Sequence, residues 1–264
     1  MIEDNGEILI QRQLDFFLEK EQQIVDDILS QQFGYFLLHF NRFNCLDTST
    51  SKIPHQFGYS RQLQFATDIC GLANQLPIAS ESVDLLVMPH ILGAIDHQGL
   101  LLAEAYRVLR NDGMFVLSEF NGWRAKSHKL WQELNKKVPQ SINQPIVKKS
   151  LKNRLLKPKA SLTQLMSLRN RIFQVEQFGF EVVKKVSFSL IMPSKNIGFK
   201  QQQWYHKFTT DSSGLAASVC LGYVLLLKKS VSELTPIKPR WNGVKSVVDP
   251  LIKKVEPVQK KVKK

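Results

Sequence analysis

The fold is decided by residues 83–120, VDLLVMPHILGAIDHQGLLLAEAYRVLRNDGMFVLSEF. Val83–Met88 is a nearly continuous apolar run, which is typical of a strand that is covered on both faces. Residues 98–110 repeat apolar side chains at three- and four-residue steps, and this period predicts an amphipathic helix. After a short polar turn, Met114–Phe120 is a second apolar run. This order predicts a βαβ unit whose strands are parallel and whose connection is right-handed.

Weaker patterns on both sides extend this unit into a larger domain. They predict helices over 11–33 and 162–177, the second capped by Ser161, and strands at Tyr35–Phe40, Gln56–Ser60, Leu63–Ile69, Phe180–Ile191 and Val219–Leu227. No crossover helix is evident between the last two strands, so the last strand should be antiparallel. We therefore predict an α/β fold with a twisted, mainly parallel sheet, helices on both faces and an antiparallel last strand.

Composition divides the chain into three predicted segments. A helical segment, 1–34, precedes an α/β domain over 35–229. This domain carries a basic insertion at about 121–160 that is rich in Lys, Gln and Asn. Residues 230–264 contain four prolines and end in QKKVKK, so we expect a cationic tail with little packed structure.

The net charge of +13 is distributed unevenly along the chain. Residues 1–120 contain 7 basic residues (Lys and Arg) and 16 acidic residues (Asp and Glu). Residues 121–264 contain 29 basic and 7 acidic residues. Such asymmetry favours contact of the C-terminal half with nucleic acid or another anionic surface, although solvated faces and a tail would also account for it. Residues 148–159 are lysine-rich and hold no aromatic residue, which indicates a point-charge surface and not a base-stacking one.

Composition and motifs argue against several classes of protein. The three cysteines, Cys45, Cys70 and Cys220, form no CxxC pair, so we expect neither a disulfide framework nor a metal site, and a cytoplasmic location fits best. The longest apolar stretch, Leu215–Leu227, has 13 residues, whereas a membrane span needs about 20. The acidic N-terminus lacks the basic start of a signal peptide. The sequence also lacks nucleophile-elbow, phosphate-loop and HExxH motifs.

A set of residues at matching spacing links the central segment to a known family. These residues are Leu76, Pro77, Ser82, Val83, Asp84, Arg107, Val108, Leu109 and Gly113. The segment resembles the central part of class I S-adenosylmethionine-dependent methyltransferases of the type 11 group. The resemblance implies a Rossmann-like fold and S-adenosylmethionine as cofactor. It also implies an enzyme that transfers the methyl group to an acceptor that the sequence does not identify.

The resemblance places the cofactor at the carboxyl ends of the strands. In the family, a glycine-rich turn after the first strand lets the backbone approach the methionine part of the cofactor. The matching segment, residues 35–41, contains no glycine. The backbone of Phe40 and Asn41 would face the cofactor there, unless Phe40 is simply a core residue.

Two further cofactor contacts of the family are altered in this chain. An acidic residue normally holds the ribose hydroxyls, and Asp68 is the best stand-in for it, unless Asp68 lies on the third strand. The Asp that normally binds the adenine amino group is replaced by Leu72, which Ala73 follows. The resemblance therefore implies that main-chain groups of Leu72 and Ala73 bind adenine.

Polar residues follow the next two predicted strands, at the edge where ligands bind in open α/β sheets. Pro89–His90 follows the fourth strand, and His90 would contact the cofactor or act as a base, unless it only hydrogen-bonds to backbone. After the fifth strand, Asn121 would bind the acceptor and Trp123 would wall its pocket, unless both belong to an ordinary turn. Glu119 would be a polar group at the pocket mouth.

Two functions therefore follow from the sequence. The first is methyl transfer by direct displacement, in which the protein mainly aligns acceptor, methyl group and sulfur, so that no fixed set of catalytic residues is required. The second is a catalytically weakened methyltransferase-fold scaffold that binds nucleic acid or another anionic partner through its basic C-terminal half. A third combines them, with the basic region recruiting a nucleic-acid or phosphorylated acceptor.

Overall fold

The computed structural model describes residues 2–41, 45–60, 67–72, 75–95, 97–136, 165–188 and 220–230. Within them the helices are α1 (Ile2–Ser30), α2 (Gln98–Val108), α3 (Ala125–Lys136) and α4 (Leu168–Gln177), with a short 3-10 turn at Leu92–Ala94. The strands are β1 (Phe36–Phe40), β2 (His55–Ser60), β3 (Ile69–Cys70), β4 (Val83–Pro89), β5 (Leu109–Phe120), β6 (Phe180–Phe188) and β7 (Gly222–Lys229). None of these helices has an apolar stretch long enough to cross a bilayer.

The seven strands form one sheet in the order β3-β2-β1-β4-β5-β7-β6. Neighbouring strands from β3 to β5 are parallel. The last strand, β7, lies between β5 and β6 and is antiparallel to both. The predicted α/β fold, with a mainly parallel sheet and an antiparallel last strand, is confirmed.

Both faces of the sheet are covered by helices, as predicted. On one face, α1 and α3 contribute Phe17, Val25, Ile28, Leu130 and Trp131 to a core that includes Val116 and Phe120 of β5. On the other face, α2 and α4 contribute Leu101, Leu102, Ala105, Leu168 and Val175 to a core that includes Phe115 and Leu117. Successive residues of β5 therefore alternate between the two cores, as a strand requires.

The central βαβ unit differs from prediction at one turn. The helix ends at Val108 and β5 begins at Leu109, where we predicted a helix to residue 110 and a strand from Met114. The pairing of β4 with β5 shifts register after Leu109, so Asp112 and Gly113 lie in an irregularity within the strand and not between elements. Asp112 has a φ of +63°, a conformation that Asp tolerates better than most residues.

Two predicted helix starts are wrong. The first helix begins at Ile2, not at residue 11, and ends at Ser30. The predicted Ser161 cap is replaced by Ser167, whose side chain accepts a hydrogen bond from the main-chain N–H of Asn170. Residues 165–167 precede α4 and are not helical. Ser161 itself lies outside the described residues.

The remaining predicted elements agree in place but not in every boundary. The strand predicted to Ile191 ends at Phe188, and the strand predicted from Val219 begins at Gly222. Of the strand predicted over Leu63–Ile69, residues 63–66 lie outside the described residues, and β3 is the short pair Ile69–Cys70. Most of the predicted basic insertion and nearly all of the predicted tail also lie outside them.

The connection from β1 to β2 has no helix in its described part, residues 41 and 45–54. Parallel sheets need cover on both faces, and here α1 supplies it. Gln22 of α1 exchanges two hydrogen bonds with the main chain of Asp47, at 2.9 and 2.8 Å. Leu46 and Ile53 of the connection pack in the same core as α1. The N-terminal helix therefore covers the part of the sheet next to this connection.

Candidate functional site

The strand order identifies one crevice as the natural ligand site. From β1 the chain proceeds outward to β2 and β3, and it then returns to the other side of β1 to form β4 and β5. In open α/β sheets, ligands bind at the carboxyl ends of the strands where the order reverses in this way. That point lies between the ends of β1 and β4, so Phe40–Asn41 and Pro89–His90 flank it.

The end of β1 is tightly packed. Phe40 is 3% exposed, and its ring centroid lies 4.7 Å from that of Tyr59 on β2. The Asn41 main-chain N–H donates to the Tyr59 carbonyl at 2.8 Å. The Asn41 side chain is buried and hydrogen-bonds the imidazole of His39. Phe40 is thus a core side chain, while the main chain of both residues lies at the ligand edge.

On the far side of β1, Asp68 and Leu72 flank the short strand β3. Asp68 directly precedes this strand, and its carboxylate accepts a hydrogen bond from the Gly58 N–H at 2.7 Å. Asp68 therefore ties β3 to β2 with one of its oxygens. Leu72 follows the strand, is 46% exposed, and its carbonyl accepts from the Gln75 N–H at 2.9 Å. Ala73 lies outside the described residues.

His90 has an unusual conformation at the end of β4. Its φ is +54°, and its main-chain N–H donates to the carbonyl of Ser118 on β5 at 2.8 Å. Its side chain is inaccessible to solvent, and Nε2 lies 2.9 Å from Oε2 of Glu21 on α1, which is equally inaccessible. Left-handed backbone at a non-glycine residue persists only where the surroundings hold it, and it concentrates at functional sites.

Aromatic rings enclose the His90 imidazole on the side of α1 and α3. The Phe120 ring stacks on it at 4.6 Å, and the centroids of Phe17 and Trp131 lie at 6.1 and 6.4 Å. Glu21 is not among the site residues that the sequence predicts. One signal was available, because Glu21 lies four residues after Phe17 on the apolar stripe of α1, where a charged residue is unexpected.

Asn121 and Trp123 follow β5 and lie beside the start of α4. The Asn121 side chain donates to the Cys220 carbonyl at 3.0 Å and accepts from the Trp123 N–H at 3.2 Å. Asn121 thus braces the turn against the segment that leads into β7. Trp123 is 76% exposed and lines an open cavity of about 530 Å³ with Gly122 and residues 165–170.

Glu119 lies inside the domain and not at a pocket mouth. Its two oxygens accept from Nε and Nη2 of Arg171 on α4 at 2.6 and 3.0 Å, and one of them also accepts from the Tyr223 hydroxyl at 2.8 Å. Burial, reinforced by the Glu119 charge, raises the pKa of Tyr223 well above its ordinary value. The phenol therefore stays protonated and donates. This network joins α4 to the sheet.

The predicted site residues thus fall into separate groups. The ends of β1 and β4 come together at the crevice, with Phe40, Asn41, Pro89 and His90. Asp68 and Leu72 lie at β3, which is separated from β4 by the two strands β2 and β1. Asn121 and Trp123 follow β5 and face α4.

Comparisons with known proteins agree with this fold. The sequence model of the family described as "Methyltransferase domain" matches residues 30–117. A search of curated protein sequences finds no match.

A comparison with solved structures also finds similar chains. One is a SAM-dependent methyltransferase, possible histamine N-methyltransferase, from Thermotoga maritima, with a TM-score of 0.55 and 17% identity, covering 86% of this chain and 95% of that one. Another is a SAM-dependent methyltransferase from Aquifex aeolicus, with a TM-score of 0.43 and 9% identity, covering 79% and 89%. The resemblance seen in the sequence is thereby confirmed: residues 30–117 match the sequence model of the methyltransferase domain family, and the chain has the class I, S-adenosylmethionine-dependent methyltransferase fold.

Proposed function

We propose that the protein transfers the methyl group of S-adenosylmethionine, by direct displacement, to an acceptor that has yet to be identified. The sulfonium of this cofactor supplies an already activated methyl carbon. The protein then has to hold acceptor, methyl group and sulfur in line and to exclude water. No fixed set of catalytic side chains is required for that task.

The placement of His90 is the observation that carries this proposal. Its backbone is held in a left-handed conformation at the carboxyl end of β4, beside the point where the strand order reverses. The conformation is maintained by the bond to Ser118 and by the contact with Glu21. A strained residue at the ligand edge, supported by two other elements, favours a binding role for this edge.

The residues of this edge fit the cofactor through main-chain groups and a small number of side chains. Phe40–Asn41 and Pro89–His90 would hold its methionine part, and Leu72 its adenine. Leu72 is half exposed, so a ring placed beside it meets no packed side chain there. Next to Asp68, the Thr67 hydroxyl is buried and makes no hydrogen bond, so a polar group of a ligand would satisfy it.

Calorimetry with the substitution Leu72→Asp tests the proposal. The substitution returns the acidic residue that the resembling family has at this position. A carboxylate here should accept a hydrogen bond from the adenine amino group and tighten cofactor binding by about tenfold. Phe33→Asp is the matched control, because Phe33 is also exposed but precedes β1, at the opposite edge of the sheet.

The proposal expects saturable heat for S-adenosylmethionine and for its demethylated product with the wild-type chain. Leu72→Asp should increase the affinity for both ligands, and Phe33→Asp should leave both affinities unchanged. If neither the wild-type chain nor Leu72→Asp binds the cofactor at millimolar concentration, only the scaffold function remains. If both variants change affinity equally, the adenine position is misplaced.

The uneven charge favours a second candidate function, which is binding of nucleic acid or another anionic surface by the C-terminal half. Of the 36 Lys and Arg residues, 29 follow residue 120. Affinity that depends on phosphate contacts falls steeply as salt rises. Retention on RNA and on DNA at increasing salt tests this function. Removal of residues 231–264 then shows whether the tail makes the contact, because an unchanged salt dependence would exclude it.

A further inference from the structure

Glu21 on α1 is a buried carboxylate that is only half satisfied. Its side chain has 0% exposure, and Oε2 contacts the His90 imidazole at 2.9 Å. Its second oxygen, Oε1, is buried and makes no hydrogen bond. Buried polar atoms without partners are rare and costly, so each one in a folded protein calls for an explanation such as a bound group.

A second unsatisfied atom lies on the same face of the sheet. The Ser118 hydroxyl oxygen is also buried and makes no hydrogen bond. Ser118 alternates with Val116 and Phe120 along β5, so its side chain points to the face that α1 and α3 cover. Its own carbonyl accepts from the His90 N–H at 2.8 Å. Both unsatisfied atoms therefore lie on the α1 side, close to the ends of β4 and β5.

The surroundings favour a donor that carries positive charge. Within the part of the chain that the structure describes, His90 is the only ion-pair partner of Glu21. The rings of Phe17, Phe120 and Trp131 enclose this pair. A buried carboxylate is stabilised by a paired cation, and aromatic faces attract cations as well. An ammonium group would meet both requirements.

We propose that Glu21 binds the methyl acceptor and takes its proton, and that the acceptor is a small amine on an apolar or aromatic body. This inference rests on the proposed methyltransferase function. His90 is the positioning residue, since its contact with Oε2 aims Oε1 at the acceptor. Because Glu21 and His90 are both inaccessible to solvent, binding of the acceptor requires the packing around this pair to open.

The reaction at this site balances without any further reagent. The acceptor ammonium gives one proton to Oε1 of Glu21, and the N–H bonding pair stays on nitrogen as a lone pair. That lone pair forms the N–C bond to the methyl carbon while the C–S bond breaks and its electron pair remains on sulfur. The positive charge thus passes from sulfur to the methylated nitrogen.

Calorimetry on the full chain, with the demethylated cofactor present, tests the inference. The probes are benzylamine and phenethylamine, each compared with the alcohol of the same carbon skeleton. The wild-type chain should bind the amines about tenfold more tightly than the alcohols, and Glu21→Gln should abolish that preference. Glu19→Gln is the matched control, because Glu19 is an exposed residue of the same helix and should keep the preference.

Three results would overturn the inference: no binding of either amine by the wild-type chain, equal binding of amines and alcohols, or an unchanged preference in Glu21→Gln. If Glu21→Gln does not fold, Ser118→Ala replaces it and should weaken amine binding. Cofactor binding is measured in the same samples. Intact cofactor binding without amine preference would remove only this inference, whereas absent cofactor binding would remove the proposed function itself.

Discussion

Arg171 of α4 and Glu119 of β5 form a bidentate ion pair inside the domain, with Nε–Oε2 and Nη2–Oε1 distances of 2.6 and 3.0 Å. Neither side chain is more than 1% exposed. Arg171 also donates to the side chains of Gln98 and Gln174, and Tyr223 donates to Glu119. A buried charge pair of this kind is stable only when further hydrogen bonds support it, and here Gln98, Gln174 and Tyr223 supply them.

Removing one member of this pair should therefore be costly. We expect Arg171→Met to lower the free energy of unfolding by about 3–5 kcal/mol, because it leaves the Glu119 carboxylate buried without its partner. The double substitution with Glu119→Leu should recover most of that loss. Urea unfolding followed by circular dichroism measures both. Arg110→Met is the control, since Arg110 is 51% exposed in its pair with Asp84 and should cost less than about 1 kcal/mol.

The docking of α1 depends on a glycine at the start of β7. A Cβ atom on Gly222 would lie 2.5 Å from Cζ of Phe17 and 2.8 Å from Cζ of Phe188. We expect Gly222→Ala to lower the free energy of unfolding by about 1–3 kcal/mol, because both rings must shift. Gly71→Ala should have a smaller effect, since its nearest neighbour is the Pro77 ring at 3.3 Å. If thermal unfolding shows that the two variants lose equal stability, this explanation is contradicted.

Acid sensitivity should arise in part from Glu104. Its hydrogen bond with Arg107, aided by that with the Leu76 N–H, holds the pKa of the carboxyl below its ordinary 4.5. The ionised carboxylate therefore stabilises the folded state fully above pH 4.5, and this contribution is lost as the pH falls below 4.5 through the lowered pKa. Urea unfolding at a series of acidic pH values should show a shallower decline for Glu104→Gln than for wild type. Identical slopes would count against this contribution.

His39 on β1 should make the stability of the folded state depend on pH in a higher range than Glu104 does. Burial is the largest influence on this imidazole and lowers its pKa from the ordinary 6.5, although hydrogen bonding with Asn41 opposes the shift. The folded state therefore favours the neutral ring, and stability should fall as the pH drops below 6.5. Melting temperatures of His39→Gln should depend less on pH in that range. A steeper dependence than that of wild type would disprove the assignment.

Local patterns predicted the elements better than their limits. The apolar run Val83–Met88 forms a strand and the amphipathic segment after it forms a helix, as predicted. Both predictions succeed because the spacing of apolar residues reports which side chains of an element are buried. The bulge at Asp112–Gly113 was missed, since a polar turn and an irregular strand have the same composition. Ser167 and not Ser161 caps α4, because either serine satisfies the pattern and only packing selects between them.

The sequence by itself determined the α/β class, the central βαβ unit and the resemblance to the methyltransferase family, since these depend on residues that are close along the chain. Only the tertiary structure decided that α1 covers the sheet beside β1 and β2. It also paired Glu21 with His90, which are 69 positions apart, and Arg171 with Glu119, which are 52 apart. The physical reason is that periodicity reports which face of an element is buried, whereas the partner that a buried polar group finds depends on the order in which strands and helices assemble.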